Sequence, residues 1–440
     1  MSSEYSRVRS YIDQLLREKT EEQLIRRLIP KRGDPPQSIP RGNCRDHLFE
    51  RLDLLRLSPR DRREIADPQS VLHLDTYRHN VENYIGTVKV PVGLVGPLRV
   101  NGLFAQGDYH IPLATTEAAL VASYHRGARL ITEAGGCTAT LLNEGVSRAP
   151  GFVFANLIEV GKFVVWIQSQ FEQLQRAASR TSRHGKLVDM KVTVEGNHVY
   201  LLFEFTTGDA AGQNMVTIAT EAICSYIREK SPVSPRLCFV EANLSGDKKA
   251  SVQSFQSVRG KKVSAEVTIG EKLIRKRLHA TPESLVEYWR ISAIGGALSS
   301  TIGLQGQYAN GLTALYLACG QDVACVAESS VGLTRFETTA RGDLYASVTL
   351  PNLMVGTVGG GTGLPSQRAC LEVMGLAGPN RARAFAEVCA ALCLGGELSI
   401  TGAICASEFT KAHRLLARPV TAPRSLARSL VKAIPTKVRA

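Results

Sequence analysis

The sequence predicts an α+β protein: a large domain interrupted by a smaller one and preceded by a helical N-terminal arm. Residues 151–241 follow the order β-α-β-β-α-β, which is that of a ferredoxin-like domain. The glycine-rich mixture of helices and strands on both sides of this segment indicates one interrupted large domain. The predicted boundaries are 1–80 for the arm, 81–148 and 243–405 for the large domain, 149–242 for the insertion, and 406–440 for a C-terminal lid helix and basic tail.

Length and composition are those of a globular enzyme. The chain has 440 residues, of which 44% are hydrophobic and 38 are glycine. No run of 18 apolar residues predicts a membrane span, and the charged start MSSEYSRVRS is not a signal peptide. We therefore expect a soluble, cytoplasmic protein without a membrane partner.

The net charge of +13 does not identify a nucleic-acid-binding protein, because the basic residues are not interleaved with aromatic ones and form no known binding motif. A small polyanionic ligand, such as a nucleotide, also suits a basic protein. The ten cysteines are scattered without a CxxC pair or zinc spacing. We expect buried free thiols and no metal site.

The arm is helical in pattern. Residues 5–30 are charged and helical, a further helix is expected between Cys44 and Leu57, and Ser58-Pro59 opens another. Oligomer contacts and a merely solvated extension explain such an arm equally well. From Val81 strands and loops dominate, until a helix begins near Thr115 with Glu117 in its first turn.

The inserted domain supplies most of the strand predictions. Its elements are an apolar strand-like run at 161–168, a helix at 171–181, strands at 186–194 and 199–207, a helix at 214–229 and a last strand at 236–242. Beyond it, a strand at 343–351 and a long helix within 380–408 belong to the large domain.

Asp322 is the only charged residue between Gly311 and Ala327, so burial there would be costly without a partner. Glu117, Lys248 and His413 also lie in restricted surroundings, and together the four form an acid/base set. The plainer alternatives are a surface turn for the Asp247-Lys248-Lys249 triplet and an exposed helix position for His413.

Three segments suit an anionic ligand. The glycines of 356–362 (GTVGGGT) allow close backbone approach, and 208–215 (GDAAGQNM) presents N–H groups at a helix start. Ser182 beside Arg183 suits a phosphate monoester. A tight turn, an ordinary capped helix and a solvated basic turn explain the same segments without a ligand.

These motifs, taken in order, resemble one family. From about residue 80 to 418 the chain is similar to the catalytic domain of 3-hydroxy-3-methylglutaryl-coenzyme A reductase, especially its class I form. The matching segments are ENYIGTVKVPVGLVGPL (82–98), ATTEAALVAS (114–123), TSRHGKL (181–187), GDAAGQNM (208–215), DKK (247–249), ACGQD (318–322), DLYASVTLPNLMVGTVGGGT (343–362), GGELSITGAICASE (395–408) and the KAH around His413.

The resemblance implies NADPH-dependent reduction of hydroxymethylglutaryl-CoA to mevalonate, the first committed step towards isoprenoids. Lys248 would stabilise the oxyanion, Asp322 would pair with Lys248 and Glu117 and set their ionisation, Glu117 would act as acid toward the aldehyde, and His413 would protonate the coenzyme A thiolate. It also implies a homodimer or a dimer of dimers with the active site between subunits.

The resemblance further implies the binding residues. NADPH would be bound by Ser182, Arg183, Asp209, Asn214, Gly359, Gly360 and Thr362. Coenzyme A contacts would include Glu82, Asn83, Ser123 and Arg126, and the acyl group would meet Arg148, Asp247, Lys249, Arg290 and Asn310.

The chain departs from the family pattern around the acyl pocket and the lid, at Glu241, Arg290, Gln307, Ala412 and Ser407-Glu408. Glu241, if it faces the site, would repel a substrate carboxylate. Two other functions therefore stay open: a paralogue that reduces a related acyl-CoA, and a non-catalytic homologue that serves as a binding or assembly subunit. The intact Glu117, Lys248, Asp322 and His413 argue against the second.

Overall fold

The structure is a computed structural model that describes residues 12–30, 33 and 37–410. Its internal contacts divide the chain into two compact units, the first ending at Thr87 and the second beginning at Val88.

The first unit is helical. Its helices are α1 (residues 12–18), α2 (Glu21–Leu28), α3 (Arg45–Leu54), α4 (Pro59–Ile65), α5 (Pro68–Leu72) and α6 (Leu74–Tyr77). Side-chain caps at Thr20 and Ser58 begin α2 and α4, which confirms the predicted helix at Ser58-Pro59. Leu48, Leu52, Leu74 and Tyr84 form a small buried core.

Between Val88 and Cys405 the second unit combines ten strands with ten α-helices. The strands are β1 (Val92–Gly102), β2 (Gln106–Ala114), β3 (Cys137–Arg148), β4 (Gly151–Val153), β5 (Lys186–Glu195), β6 (His198–Thr206), β7 (Leu237–Phe239), β8 (Gly260–Ile269), β9 (Leu333–Thr338) and β10 (Leu344–Leu353). The helices are α7 (Leu120–Glu133), α8 (Leu157–Gln168), α9 (Phe171–Ser179), α10 (Gln213–Lys230), α11 (Glu271–Leu278), α12 (Pro282–Leu298), α13 (Tyr308–Cys319), α14 (Val326–Ser329), α15 (Pro365–Val373) and α16 (Ala382–Cys405).

Strand β3 joins two parts of the sheet. Residues 138–145 of β3 pair with β8, which continues through β10 to β9, whereas residues 146–148 pair with β6. Strand β4 also pairs with β6 and is followed by β7. Strand β5 pairs with β6 along its opposite edge. β1 pairs antiparallel with β2 and parallel with β3.

The strand predicted at 161–168 is wrong, because these residues form most of helix α8. Asn156 caps the helix by accepting hydrogen bonds from Ile158 and Glu159, and Val160, Phe163 and Ile167 bury one helical face. The strand instead lies at Gly151–Val153, so the order β-α-β-β-α-β is retained with its first helix split into α8 and α9.

Helix α16 runs through the core of the second unit. It is long and apolar enough to cross a membrane, but 83% of its apolar window is buried inside the protein. Two buried carboxylates on it bind backbone N–H groups: Glu387 accepts from Phe104 and Ala105, and Glu397 from Gly306 and Gln307. The helix is therefore a core element, consistent with its fixed polar contacts.

Candidate active site

Lys248 and Asp322 form an ion pair, with 2.8 Å between Nζ and Oδ2. Both side chains are partly exposed, at 42% and 43%. The hydrogen bond that Lys248 donates to Asp322 is the main reason that the pKa of Lys248 is raised, so its ammonium form is favoured. Lys248 also adopts a left-handed backbone conformation, with φ of 55°, of the kind that is often found where a fold holds a functional side chain.

Asp322 is not buried, although it lies in an apolar segment of the sequence. Helix α13 ends at Cys319, and Gly320 caps it with φ of 67°, which turns the chain out of the apolar core before Asp322. The carboxylate accepts a hydrogen bond from Ala324 N at 3.1 Å and begins the short 3₁₀ segment Val323–Cys325. The Asp322 carboxylate thus lies at the protein surface, although the residues around it in the sequence are apolar.

Glu117 is not in a helix, contrary to expectation, but in the loop before α7. Ala119, at φ of 69°, separates it from the first helical residue, Leu120. Its carboxylate accepts hydrogen bonds from Asn310 Nδ2 at 3.2 and 3.4 Å. Within the described part of the chain, Glu117 makes no hydrogen bond or ion pair with Lys248 or Asp322. The structure thus pairs two of the predicted acid/base residues, Lys248 and Asp322, with each other, whereas Glu117 pairs with Asn310.

His413 and Ala412 lie outside the described residues.

Arg148 and Asp247, both predicted to meet the acyl group, contact each other. Arg148 Nη1 lies 2.9 Å from Asp247 Oδ2 and 3.3 Å from Glu241 Oε2. Glu241 also accepts from Ala149 N, Asn243 N and Ser245 Oγ. Its carboxylate is therefore held by several donors inside the protein. Lys249 donates to the backbone oxygen of Asp247 at 2.9 Å.

Sequence reasoning missed three residues beside this pair: the buried Arg259 and Glu328, and the half-buried Gln213. Arg259 forms ion pairs with Asp247 and with Glu328. Gln213 Oε1 accepts from Arg259 Nη2 at 2.7 Å and from Arg148 Nη2 at 3.3 Å. Burial would raise the pKa of Asp247, but the two guanidinium groups outweigh it and hold that pKa below its ordinary value. A possible signal was Glu328, a carboxylate within the small and apolar residues 323–329.

The two glycine-rich segments lie side by side. Thr357 N donates to the backbone oxygen of Asp209 at 2.8 Å, and a Cβ on Gly356 would lie 2.5 Å from Ala211 N. The Asp209 carboxylate accepts from Asn380 N and Ala382 N, at the start of α16. Both segments flank the first turn of α10, whose N-cap, Gly212, supplies no side-chain cap.

The loop that contains Ser182 and Arg183 packs on the same turn. A Cβ on Gly185 would lie 2.8 Å from Met215 Sδ, and Ser182 Oγ accepts from the N–H groups of His184 and Gly185. The structure therefore brings the predicted NADPH residues of 182–183, 209–214 and 359–362 around the start of α10. Arg183 and Asn214 are exposed there.

Ser123 and Arg126 project from α7 toward α16. Ser123 Oγ lies 3.0 Å from Ser399 Oγ, and Arg126 donates to the Ser399 backbone oxygen at 2.7 Å. Gln307 donates to Ser123 Oγ at 3.3 Å. Glu408 lies 3.7 Å from Arg126 and 2.9 Å from His279 Nδ1. Gln307 and Glu408 are two of the positions at which the chain departs from the family pattern. Gln307 thus contacts Ser123 directly, and Glu408 contacts Arg126.

Two surface cavities hold the other predicted binding residues. In the first unit, a cavity of about 650 Å³ is lined by Glu82, Asn83 and the basic residues Arg41 and Arg78. In the second unit, Arg290 lines a cavity of about 440 Å³ and lies 3.4 Å from Glu287.

Comparison with known proteins decides the family. Residues 47–418 match the family model described as hydroxymethylglutaryl-coenzyme A reductase. The 3-hydroxy-3-methylglutaryl-coenzyme A reductase of Pyrococcus horikoshii is 44% identical over 77% of this chain and 84% of that protein. The chain belongs to the hydroxymethylglutaryl-coenzyme A reductase family.

Other relatives of the reductase family extend the match. The reductase of Aeropyrum pernix is 41% identical over 86% of this chain and 91% of its own length. Among solved structures, the NADPH-bound class II reductase of Streptococcus pneumoniae has a TM-score of 0.62 at 20% identity, covering 81% of this chain and 96% of that one. This likeness shows a shared mixed helix-and-sheet fold.

Proposed function

We propose that this chain reduces (S)-3-hydroxy-3-methylglutaryl-CoA to mevalonate and free coenzyme A, consuming two molecules of NADPH. The observation that carries the proposal is the 2.8 Å pair between Lys248 and Asp322, a cation poised at the surface of a reductase-family protein. The substrate passes from thioester through hemithioacetal and aldehyde to alcohol. Each reduction step creates negative charge on an oxygen, and this is the charge that the site must stabilise.

The residues around the start of α10 fit NADPH. A Cβ on Gly359 or Gly360 would meet no atom within 4 Å, so their backbone is open to a ligand. The uncapped first turn of α10 offers N–H groups to phosphate, and Ser182 with Arg183 suits the 2′-phosphate. Asp209, Asn214 and Thr362 complete the proposed contacts; Asp209 acts by holding Asn380 and Ala382 through their N–H groups. Bound NADPH supplies the hydride.

Lys248 is the proposed oxyanion-stabilising group. Its ammonium group would donate to the carbonyl oxygen of the thioester as that oxygen becomes negative. Asp322 keeps the ammonium protonated and limits where it can point, since it holds Nζ at 2.8 Å. The partial exposure of both side chains leaves the remaining Nζ donors accessible to substrate.

Glu117 is the proposed acid toward the aldehyde, and His413 the proposed donor to the coenzyme A thiolate. Asn310 donates to both oxygens of Glu117 and so orients the carboxyl group. A protonated thiol leaves more readily than a thiolate, which is the contribution expected from a histidine. The reaction needs both proton donors, because the alcohol and the free thiol each gain one proton.

The substrate contacts divide between the acyl group and coenzyme A. The charged side chains of Arg148, Asp247, Lys249 and Arg290, with the amide of Asn310, are proposed to bind the acyl group. Glu82, Asn83, Ser123 and Arg126 are proposed to bind coenzyme A. The basic lining of the Glu82–Asn83 cavity supports this assignment, since coenzyme A carries phosphate groups.

One observation favours a related acyl-CoA as an alternative substrate. Glu241 lies 3.3 Å from Arg148 Nη1 and partly neutralises a cation proposed to bind the acyl group. A smaller or less charged acyl group would suit such a site.

We also propose the finer architecture. Identities of 41–44% to the archaeal reductases, against 20% to the class II structure, support a class I-like chain. The strand order β7-β4-β6-β5 supports a ferredoxin-like NADP-binding domain at 149–242, inserted between 81–148 and 243–405, after an arm at 1–80 and before a lid at 406–440. We place the protein in the cytoplasm as a homodimer or dimer of dimers.

The test is oxidation of NADPH by the purified protein, followed by absorbance, with hydroxymethylglutaryl-CoA and with other acyl-CoA thioesters. Turnover with the first compound is expected. Turnover only with another thioester would support the paralogue, and NADPH binding without any turnover would support a non-catalytic homologue.

The cofactor assignment is tested with Arg183→Ala. The variant should weaken the binding of NADPH more than the binding of NADH, because only NADPH carries the 2′-phosphate. Arg180→Ala, an exposed arginine at the end of α9, is the matched control. An equal effect of Arg183→Ala on both cofactors would remove the proposed contact.

A further inference from the structure

Arg259 lies just before β8 and is almost fully buried, with 3% of its side chain exposed. Its guanidinium group donates four hydrogen bonds through its three nitrogen atoms. Nε donates to Glu328 Oε2 at 2.5 Å, Nη1 to the Ser147 backbone oxygen at 2.5 Å, and Nη2 to Asp247 and to Gln213. Its position is therefore over-determined, and every partner that it contacts is held with it.

Two of these partners belong to the segments that carry the exposed pair. Asp247 directly precedes Lys248, whose left-handed backbone depends on the conformation of this turn. Glu328 lies in α14, which follows Asp322 through one short 3₁₀ turn. A single guanidinium group thus connects the segment that holds the amine to the segment that holds the carboxylate.

A second connection runs through Gln213. Its amide oxygen accepts from Arg259 and from Arg148, and its amide nitrogen donates to Cys325 Sγ at 3.1 Å. Cys325 ends the 3₁₀ turn that begins after Asp322. Gln213 is also the first residue of α10, so the same contacts reach the proposed NADPH-binding turn.

We propose that Arg259 is a positioning residue that sets the separation of Lys248 and Asp322 by binding Asp247 on one side and Glu328 on the other. Lysine cannot replace it, because a single ammonium group lacks the planar fork that reaches Glu328, Ser147 and Asp247 at once. The inference deepens the proposed function, since it takes Lys248 as the group that stabilises the oxyanion.

The test is Arg259→Lys, which keeps the charge beside both carboxylates but loses the fork. The kcat for hydroxymethylglutaryl-CoA should fall on the order of 100-fold, the loss that a misplacement of about 1 Å can cause. The KM for NADPH should change less than about threefold, because Arg259 donates to none of the proposed cofactor residues, and Gln213, through which it reaches α10, keeps its hydrogen bond with Arg148. Arg275→Lys, in an exposed pair with Glu271, is the matched control and should retain kcat.

A second readout needs no turnover. If Arg259 holds the pair together, Arg259→Lys should loosen the contact with Asp322 and increase the labelling rate of Lys248 by an amine-specific reagent at alkaline pH. Peptide mass spectrometry measures that rate, with exposed Lys162 as internal reference. Faster labelling of Lys248 alone supports the proposal, whereas unchanged labelling and unchanged kcat overturn it.

The two proposals fail differently. If the wild-type protein does not reduce hydroxymethylglutaryl-CoA, the proposed function fails, and Lys248 labelling still tests the role of Arg259. If Arg259→Lys does not fold, Glu328→Gln replaces it, since it keeps the size of the side chain while removing one charged anchor. About a tenfold lower kcat with faster Lys248 labelling is then expected, and wild-type values for both would overturn the proposal.

Discussion

Asp322 and Glu328 lie six positions apart, yet the protein treats their charges in opposite ways. The Asp322 side chain is 43% exposed and pairs with an equally accessible lysine, whereas Glu328 is 0% exposed and pairs with a buried arginine. Exposed charges are available to a ligand but contribute little to folding, and buried ones contribute to folding only while they stay paired. Asp322, at the exposed end of this segment, is therefore suited to a role in the reaction, whereas Glu328, at the buried end, is suited to holding its neighbours in place.

The sharpest test of this contrast is Lys248→Met, which removes the exposed cation. Activity should fall roughly 1000-fold, the upper part of the range for losing one oxyanion donor. Stability should change little, since the side chain is partly exposed. Steady-state kinetics and thermal unfolding measure the two effects, with Lys272→Met on exposed α11 as control. A large loss of stability with retained activity would reverse the roles assigned to the two ends.

Glu328→Leu should show the opposite balance, with a larger effect on stability than on activity. Removing one partner of a buried ion pair costs roughly 3 kcal/mol in the free energy of unfolding, and Arg259 keeps Asp247 as a partner. Urea denaturation measures the change. The control, Glu271→Leu, breaks the exposed pair with Arg275 and should cost about 1 kcal/mol or less. Equal losses in the two variants would mean that burial does not distinguish these pairs.

The pH dependence of stability is a further test of the buried carboxylate, Glu328. Burial raises the pKa of Glu328 from 4.5 to about 7. The folded protein therefore keeps a proton that the unfolded chain releases, and stability falls as pH rises across this interval, by roughly 3 kcal/mol. Below pH 4.5 both states are protonated and the cost disappears.

The measurement is the free energy of unfolding of the wild type and of Glu328→Gln from pH 4.5 to 7. The difference between the two proteins should change across the interval because the amide does not titrate. Parallel curves for Glu328→Gln would show that Glu328 does not take up this proton.

Glu397 extends the comparison to a buried carboxylate that has no cationic partner among the residues that the structure describes. It accepts from Gly306 N, Gln307 N and Thr334 Oγ1, and burial raises its pKa. Glu397→Gln should cost about 1–3 kcal/mol, because the amide nitrogen cannot accept a hydrogen bond. Thermal unfolding measures this cost. Glu283→Gln, at the exposed start of α12, is the control and should change the stability less than Glu397→Gln does.

The sequence predicted features that local signals determine. The cap at Ser58, the strands β5 and β6 and the helix after Gly212 were all visible in short windows. The run 161–168 was misread as a strand because its five residues 163–167 are all apolar. The spacing of Val160, Phe163 and Ile167, with a cap at Asn156, was the helical signal.

The site was predicted less completely because its support is non-local. The pairing of Lys248 with Asp322 followed from family resemblance, while their exposure depends on Gly320 ending α13. Arg259 and Glu328 lie 69 positions apart, and no local pattern pairs them. Burial of a charge is decided by partners distant in sequence, which composition and periodicity do not show.

Helix α16 has a consequence for how the chain is made. Its apolar surface packs against α7, β3, β8 and β10, all of which are synthesised before it. Until residue 405 leaves the ribosome, these elements expose the surface that α16 covers. Nascent chains of this protein should therefore need a chaperone until α16 has been synthesised, and completion of the core should coincide with the emergence of this helix.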